Sequence, residues 1–510
     1  MKPRRPQILL VTPPYHSGVV ESAGSWLPLG LLYVGGALKK AGYGVALYDA
    51  MTRFHTLEQV RETLRRERPD AVFVSCITAT VMDGMEVCRV AKEEIPGVLT
   101  ALGNTHPTFM YDEILREHPE IDVIIRGEGE VAAVELMDAW KADADLKKVR
   151  GIAFREGGQI VATLKRGFVR DLDTLEPAWD LVPWKEYSYR VKPGSTLAIV
   201  SSSRGCKQHC SFCSQRLFWK ESWRAVSAEK FVDELQMLKG RYGVDVAMIA
   251  DEIPTLDATR WSRILDLLIE RDLGVSLLLE TRVDDIVRDE PLMPRYRKAG
   301  IEHIYVGVES VNQATLDLYK KDAKVEQGKR AIELINEHSM ISETSFVMGM
   351  PNETKEEMAR TIELAKFYDP DMAFFLAITP WPYADLYKDV KDHIATKDYR
   401  KYNLVEPVVK PIAMTLDEVR AELFRGFREF YVTKMKRMSS MPAWKQEFMK
   451  SLMQLLMEHS YLKDQMTGLE LPPDMKAFVD LAESESRCPV QRIKKFFKRK
   501  TKPAKTEVLT

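Results

Sequence analysis

From residue 7 to about 140 the chain alternates short apolar runs with longer amphipathic ones. The segments QILLVTPP, VALYDA, DAVFVSCI, VLTALG and DVIIRGE are rich in Val, Ile and Leu and bounded by Gly, Pro or Asp, which marks them as buried strands. Between them LGLLYVGGALKKAG, TLEQVRETLRRERP, MDGMEVCRVAKEEIP and FMYDEILREHP carry apolar residues at helical spacing and stop at Gly or Pro. Such alternation predicts a parallel sheet covered on both faces, a doubly wound Rossmann-like α/β domain over residues 1–145. Its ligand is expected beyond the carboxyl ends of the strands, where the loops TPPYHSG, ITATVMDG, GNTHPT and RGEGE are small and polar.

GIAFREGGQIVATLK predicts a hairpin turning at Gly157-Gly158, and a Pro-rich irregular stretch follows, so residues 146–190 read as hairpin and linker. A second alternating series runs from 191 to 405. Its candidate strands are TLAIVSS, VDVAMIADE, VSLLLETR, HIYVGVES, ISETSFVMG and DMAFFLAI, with helical patterns between them. Six such units predict a partial (β/α)6 barrel with its chemistry at the C-terminal ends of the strands. Residues 406–490 are helical in pattern and read as a C-terminal domain, and 491–510 form a basic tail.

Composition narrows the class. Length of 510 residues implies two or three domains, and 45% hydrophobic content implies sizeable cores. A net charge of −1 argues against a nucleic-acid partner. Six cysteines in so long a chain are no disulfide framework, which favours a reducing compartment. QILLV is too short for a signal sequence and Pro13-Pro14 ends it, so a cytoplasmic protein is expected.

Three of the cysteines, Cys206, Cys210 and Cys213, crowd into RGCKQHCSFCSQ with the spacing C-x3-C-x2-C, directly after the first strand of the second series. Three thiolates at that spacing suit a soft metal or an iron-sulfur cluster. A structural zinc is the alternative and needs a fourth ligand, for which His209 is the nearest candidate. A cluster held by three thiolates leaves one iron open to a substrate or cofactor.

The C-x3-C-x2-C loop, Phe212 before the third cysteine and the preceding barrel strand together resemble the radical S-adenosylmethionine superfamily. The resemblance implies a 4Fe-4S cluster on Cys206, Cys210 and Cys213, S-adenosylmethionine on the fourth iron, and a 5′-deoxyadenosyl radical that abstracts hydrogen from substrate. It further implies S-adenosylmethionine contacts at successive strand ends. These are Asp251 and Glu252 in IADEIPT, Glu280 and Arg282 in LLLETRVDD, Gly307 and Glu309 in YVGVES, and Gly349 in FVMGMPNET. A solvated loop charge is the plain alternative for each carboxylate.

The doubly wound domain before such a barrel resembles the cobalamin-binding branch of that superfamily, which implies bound cobalamin near Pro14, His16, Gly103, Asn104, His106, Gly127 and Glu128. The D-x-H-x-x-G motif that supplies an axial histidine elsewhere is absent, so cobalamin is expected base-off without that ligand. CSFCSQRLFW, ADEIPT, TRVDDIVRDE, ITPWPYADLY and KYNLVEPVVKP resemble the anaerobic magnesium-protoporphyrin monomethyl ester oxidative cyclases. That likeness implies a large, fairly apolar substrate, tetrapyrrole or lipid-like, and a reductant such as flavodoxin or ferredoxin. A radical methyltransferase of the same architecture is the alternative, and a non-catalytic zinc- or cobalamin-binding regulator the remote one.

Other features have blander readings. Cys76 and Cys88 are expected in the core, and Cys488 as a free thiol. Trp219, Trp381, Tyr383 and Tyr387 either line a planar pocket or simply pack. The tail RIKKFFKRKTKPAK suits an anionic membrane surface, peripheral to the inner face, as well as it suits a solvated charge run.

Overall fold

Strand β1 (Ile8–Thr12) is buried at every position, as the middle of a parallel sheet requires. The computed structural model describes residues 7–17 and 24–459. The first sheet adds β2 (Val45–Asp49), β3 (Ala71–Ser75), β4 (Leu99–Gly103), β5 (Val123–Ile125), β6 (Ile152–Glu156) and β7 (Gln159–Ala162), in the order β2-β1-β3-β4-β5-β6-β7. β1 to β5 are parallel, while β5-β6 and β6-β7 are antiparallel. Successive β1 residues feed opposite cores. Leu9 and Val11 pack with the helices Leu57–Glu67, Val81–Glu94 and Thr105–Glu117, whereas Ile8 and Leu10 pack with Leu29–Lys40 and Glu130–Lys141. Continuous apolar sequence in these strands therefore follows from two-sided burial, each fully buried Leu or Ile contributing about 1.5–3 kcal/mol.

The Gly157-Gly158 hairpin forms as expected, yet it is not part of a linker: β6 pairs with β5 and extends the first sheet. A linker proper follows and clamps the two halves together. Ala178 N–H donates to Leu32 O at 2.9 Å, Trp179 Nε1 donates to Glu234 at 3.0 Å, and Tyr187 Oη donates to Asp49 at 2.8 Å.

The second sheet comprises β8 (Leu197–Val200), β11 (Val246–Ile249), β12 (Ser276–Arg282), β13 (Ile301–Glu309), β14 (Ile341–Met348) and β15 (Met372–Ala377), after a two-stranded excursion through β9 (Ser203–Gly205) and β10 (Trp223–Ala225). Its six strands are all parallel, in the order β15-β14-β13-β12-β11-β8, and β8 and β15 do not pair with each other. This is the open (β/α)6 barrel the sequence predicts.

Register sorts the inward side chains into layers. Ile199, Met248, Leu278 and His303 are level near the floor. Glu280, Tyr305, Glu343 and Met372 lie two residues higher, and Arg282, Gly307, Ser345 and Phe374 at the mouth.

The C-terminal helices differ from expectation. Val419, Leu423, Phe427 and Phe430 of the helix Leu416–Lys436, and Met449, Leu452 and Met453 of Ala443–His459, belong to the same core as the barrel strands. They belong to the barrel's own core and not to a separate unit, since Phe427 packs edge-on against Phe375 on the outer face of β15 at 5.5 Å. Cys488, the tail 491–510 and the end of the expected 406–490 unit lie outside the described residues.

Candidate active site at the barrel mouth

The cysteine loop is held rigidly before any cofactor is considered. Asp251, at the end of β11 and 1% exposed, accepts hydrogen bonds from Ser202 N–H (2.8 Å), Ser202 Oγ (2.6 Å) and Ser203 Oγ (2.7 Å). Gly205 follows at φ +102°, and a Cβ there would sit 2.1 Å from Ser222 O, so only glycine admits the turn into Cys206. Glu252 ties the same turn down, accepting from Gly205 N–H at 2.9 Å and Trp219 Nε1 at 2.6 Å. Further along, Ser211 N–H donates to Tyr319 O at 2.8 Å and the Phe212 ring meets Tyr319 edge-on at 5.2 Å.

Cys206, Cys210 and Cys213 are half-buried and close enough to raise one another electrostatically. Burial pushes Cys206 up to about 11 and Cys213 up to about 12, and it raises Cys210 against the pull of Lys321 and Arg282. Such thiols stay protonated until a metal displaces the proton. Among the described residues no three His, Cys, Asp or Glu side chains converge as one metal ion needs. His209 is 61% exposed and faces Glu221 at 3.4 Å.

The strand-end residues are less uniform. Arg282 donates to Asp284 at 2.8 Å while lending charge to Cys210. Glu309 adopts φ +60°, unusual for a side-chain-bearing residue, and pairs with Lys321 Nζ at 2.8 Å. Lys321 also donates to Gly307 O at 2.7 Å, and a Cβ on Gly307 would strike both Glu309 and Lys321. Gly349, at φ +92°, gives its N–H to Glu353 at 2.5 Å. Asp251 and Glu252 are both taken up by the segment that carries the cysteine loop, Asp251 through Ser202 and Ser203 and Glu252 through Gly205 and Trp219. Lys321 is the member sequence reasoning missed, since a lysine in a helix-to-helix loop carries no motif.

Beneath the mouth lies a cavity of about 440 Å³ lined chiefly by Ile199, Met248, Leu278, Met372 and Phe374, with Glu280 reaching into it. The Glu280 side chain is exposed to the cavity, and desolvation by the surrounding barrel, then Glu343, Glu252 and Glu309, push it up to about 7. A carboxyl raised from 4.5 to about 7 on folding binds more protons folded than unfolded in that window, so stability falls as pH rises through it. Urea unfolding of Glu280→Gln beside wild type is expected to show the difference growing from pH 4.5 to 7 in favour of the variant and levelling above; parallel curves would contradict it.

A second cavity, about 320 Å³, lies between the first sheet and the barrel. Ser75, Gly103, Asn104, Gly127 and Glu128 line it from the strand ends of the first sheet, and Ser203, Arg204, Trp219 and Glu252 from the barrel. Ala250 lines both cavities, so the two spaces border one another across a single small residue at the end of β11. The glycine-rich edge and apolar wall of Phe73, Leu102 and Ile125 suit a flat ligand, and Glu130 Oε2 is buried there without a hydrogen-bond partner. Among the described residues no histidine lines this cavity.

Pro14 and His16 line a different, polar cleft with Asp83 and Arg400. His106 is 1% exposed, bonded to Thr78 Oγ1 at 3.1 Å, and burial lowers it to about 4. Tyr383 stacks on Phe109 at 4.6 Å and Trp381 packs beside Tyr319; of the four aromatics only Trp219 lines a central cavity. Cys76 and Cys88 are buried core residues, as expected.

Two family models match the chain: the B12 binding domain over residues 15–137 and the radical SAM superfamily over residues 200–365. The anaerobic magnesium-protoporphyrin IX monomethyl ester cyclase of Cereibacter sphaeroides is 40% identical over 434 residues, covering 84% of this chain and 71% of that protein. The hopanoid C-3 methylase of Methylococcus capsulatus is 26% identical over 407 residues, 79% of this chain and 76% of that one. Among solved structures, the cobalamin-dependent S-adenosylmethionine radical enzyme OxsB, with aqua-cobalamin and S-adenosylmethionine bound, superposes with a TM-score of 0.66 at 16% identity, over 94% of this chain and 75% of that one. That likeness speaks for the fold.

Proposed function

Since the chain belongs to the cobalamin-binding radical S-adenosylmethionine family, we propose that it catalyses an oxidative ring closure of the anaerobic cyclase type, on a large, flat tetrapyrrole. The cluster would sit on Cys206, Cys210 and Cys213, S-adenosylmethionine among Glu252, Glu280, Arg282, Gly307, Glu309 and Gly349, and cobalamin along Gly103, Asn104, Gly127 and Glu128. Bound there, these groups supply a carbon-centred radical able to take hydrogen from an unactivated C–H bond.

The chain's own part is containment and charge. Glu252 holds Trp219 against the turn into Cys206, and Lys321 with Arg282 places positive charge beside Cys210. The apolar lumen keeps bulk water from a reactive centre. The observation carrying the proposal is that lumen and interdomain cavity border one another at Ala250, in a chain alike to a cyclase along most of its length. Methyl transfer, the reaction class of the hopanoid relative, is the competing reading.

Product analysis separates them. Reduced, reconstituted protein given magnesium-protoporphyrin monomethyl ester in ¹⁸O-water, with S-adenosylmethionine labelled on its methyl, is expected to yield 5′-deoxyadenosine and an ¹⁸O-bearing product free of methyl label. Methyl label in the product would sink the cyclase reading.

A further inference from the structure

The floor of the lumen is not sealed by apolar side chains as barrel floors commonly are. A separate cavity of about 370 Å³ lies under it, between the strand starts and the helix Ala443–His459, lined by Lys192, Arg297, Glu302, Ser339, Trp444 and Glu447. Tyr189, Leu278 and His303 line both this cavity and the lumen. They form the partition, and two of the three are polar.

Those two are joined in a chain. Glu343, in the middle layer of the lumen, places Oε2 2.6 Å from His303 Nε2, in contact but out of line for a hydrogen bond, so transfer across this link needs the carboxylate to turn into line; His303 Nδ1 lies 3.1 Å from Tyr189 Oη. Each member has one side toward the next: the carboxylate toward the lumen, the imidazole across the partition, the phenol toward the floor cavity. We propose that Glu343, His303 and Tyr189 form a proton relay that connects the reaction chamber with the water of the barrel floor.

One proton moves at each step, and no electron. Glu343 passes its carboxyl proton to His303 Nε2; the ring gives up the proton on Nδ1 to the Tyr189 hydroxyl; the hydroxyl's own proton leaves to floor water. Burial holds Tyr189 neutral, the state in which a hydroxyl both accepts and donates. The charged and titratable groups around His303 are few on each side. They are Glu280 and Tyr305 in the lumen, and Lys192, Arg297, Glu302 and Glu447 below, with Arg297 3.7 Å from Glu302.

The relay deepens the cyclase reading and rests on it for its purpose: joining a water oxygen to carbon releases protons inside the lumen, and transfer of an intact methyl group does not. It predicts that His303, 7% exposed, communicates with solvent through the partition, whereas His106, 1% exposed, does not.

Exchange of the histidine C2 hydrogen with D₂O, followed by mass spectrometry of the intact holoenzyme's peptides, reads this without turnover. His303 is expected to exchange about tenfold faster than His106 or more; rates equal to those of His106 would overturn the relay. In turnover, His303→Gln and, should that variant fold poorly, Tyr189→Phe are expected to lower product formed per S-adenosylmethionine cleaved by about tenfold or more and to enlarge the solvent isotope effect. An unchanged ratio and isotope effect would equally overturn it. A methylated product would remove the cyclase reading and leave the exchange result standing, while a sealed His303 removes the relay alone.

Discussion

Replacing Cys210 with alanine is expected to abolish cleavage of S-adenosylmethionine, a loss on the order of a thousandfold or more, because the three thiols act as one unit. Each is the sole protein ligand its iron would have. Removing one also takes away the thiolate beside Lys321 and Arg282, which keep only Glu309 and Asp284 as their anions. Iron and sulfide content should fall with activity while the fold persists, since the loop is pinned by Asp251, Glu252 and Tyr319 and not by the cysteines. His209→Ala is the matched control: exposed and turned toward Glu221, it should keep its iron. Wild-type iron content and cleavage in Cys210→Ala, or iron lost from His209→Ala, would contradict the assignment.

The second large effect is expected at Arg204. Its guanidinium, 11% exposed, bonds Glu128 at 2.8 Å and Glu130 at 2.7 Å and stacks over Tyr33 at 4.5 Å. Glu128 also takes Arg224 at 3.0 Å and Val169 N–H at 2.7 Å. These acids belong to the first domain and the arginines to the barrel, so the cluster is a clasp across the interdomain cavity. Arg204→Met keeps the stacking volume but strands Glu130, 5% exposed, and leaves Glu128 to Arg224 and Val169 N–H, a cost of about 3–5 kcal/mol. The midpoint of urea unfolding should drop accordingly, with cobalamin retained less well on gel filtration. A change below about 1 kcal/mol, as for an ordinary surface pair, would show that the clasp carries no stability.

The alternating strands and the three thiols were legible because each obeys a local rule: two-sided burial writes an unbroken apolar run, and cluster ligands must lie close in sequence to share one loop. Glu128 reads in sequence as an acid of the expected cobalamin loops. That it meets Arg204 and Arg224 across 76 and 96 positions follows from packing two domains, which no periodicity encodes. Asp251 reads as a ligand-binding acid by position, yet Ser202 and Ser203 occupy it. His106 sits in the expected loop, but the kinked helix Thr105–Glu117 carries it inward against Tyr383 and Tyr399. His303 looked like one polar residue in an apolar strand; only the register of β12, β13 and β14 shows it beneath Glu280 and Glu343 at a cavity wall. The hairpin and the C-terminal helices were read as separate because sequence reveals their type and not what they pack against.

One measurement bears most directly on the joining of an iron-sulfur centre and a corrin in a single chain. Anaerobically purified protein, analysed for iron, sulfide and cobalt alongside its absorption spectrum, is expected to hold about four irons and one cobalamin per chain, with cluster and cob(II)alamin bands together. One zinc per chain, with neither iron nor cobalt after reconstitution, would contradict it.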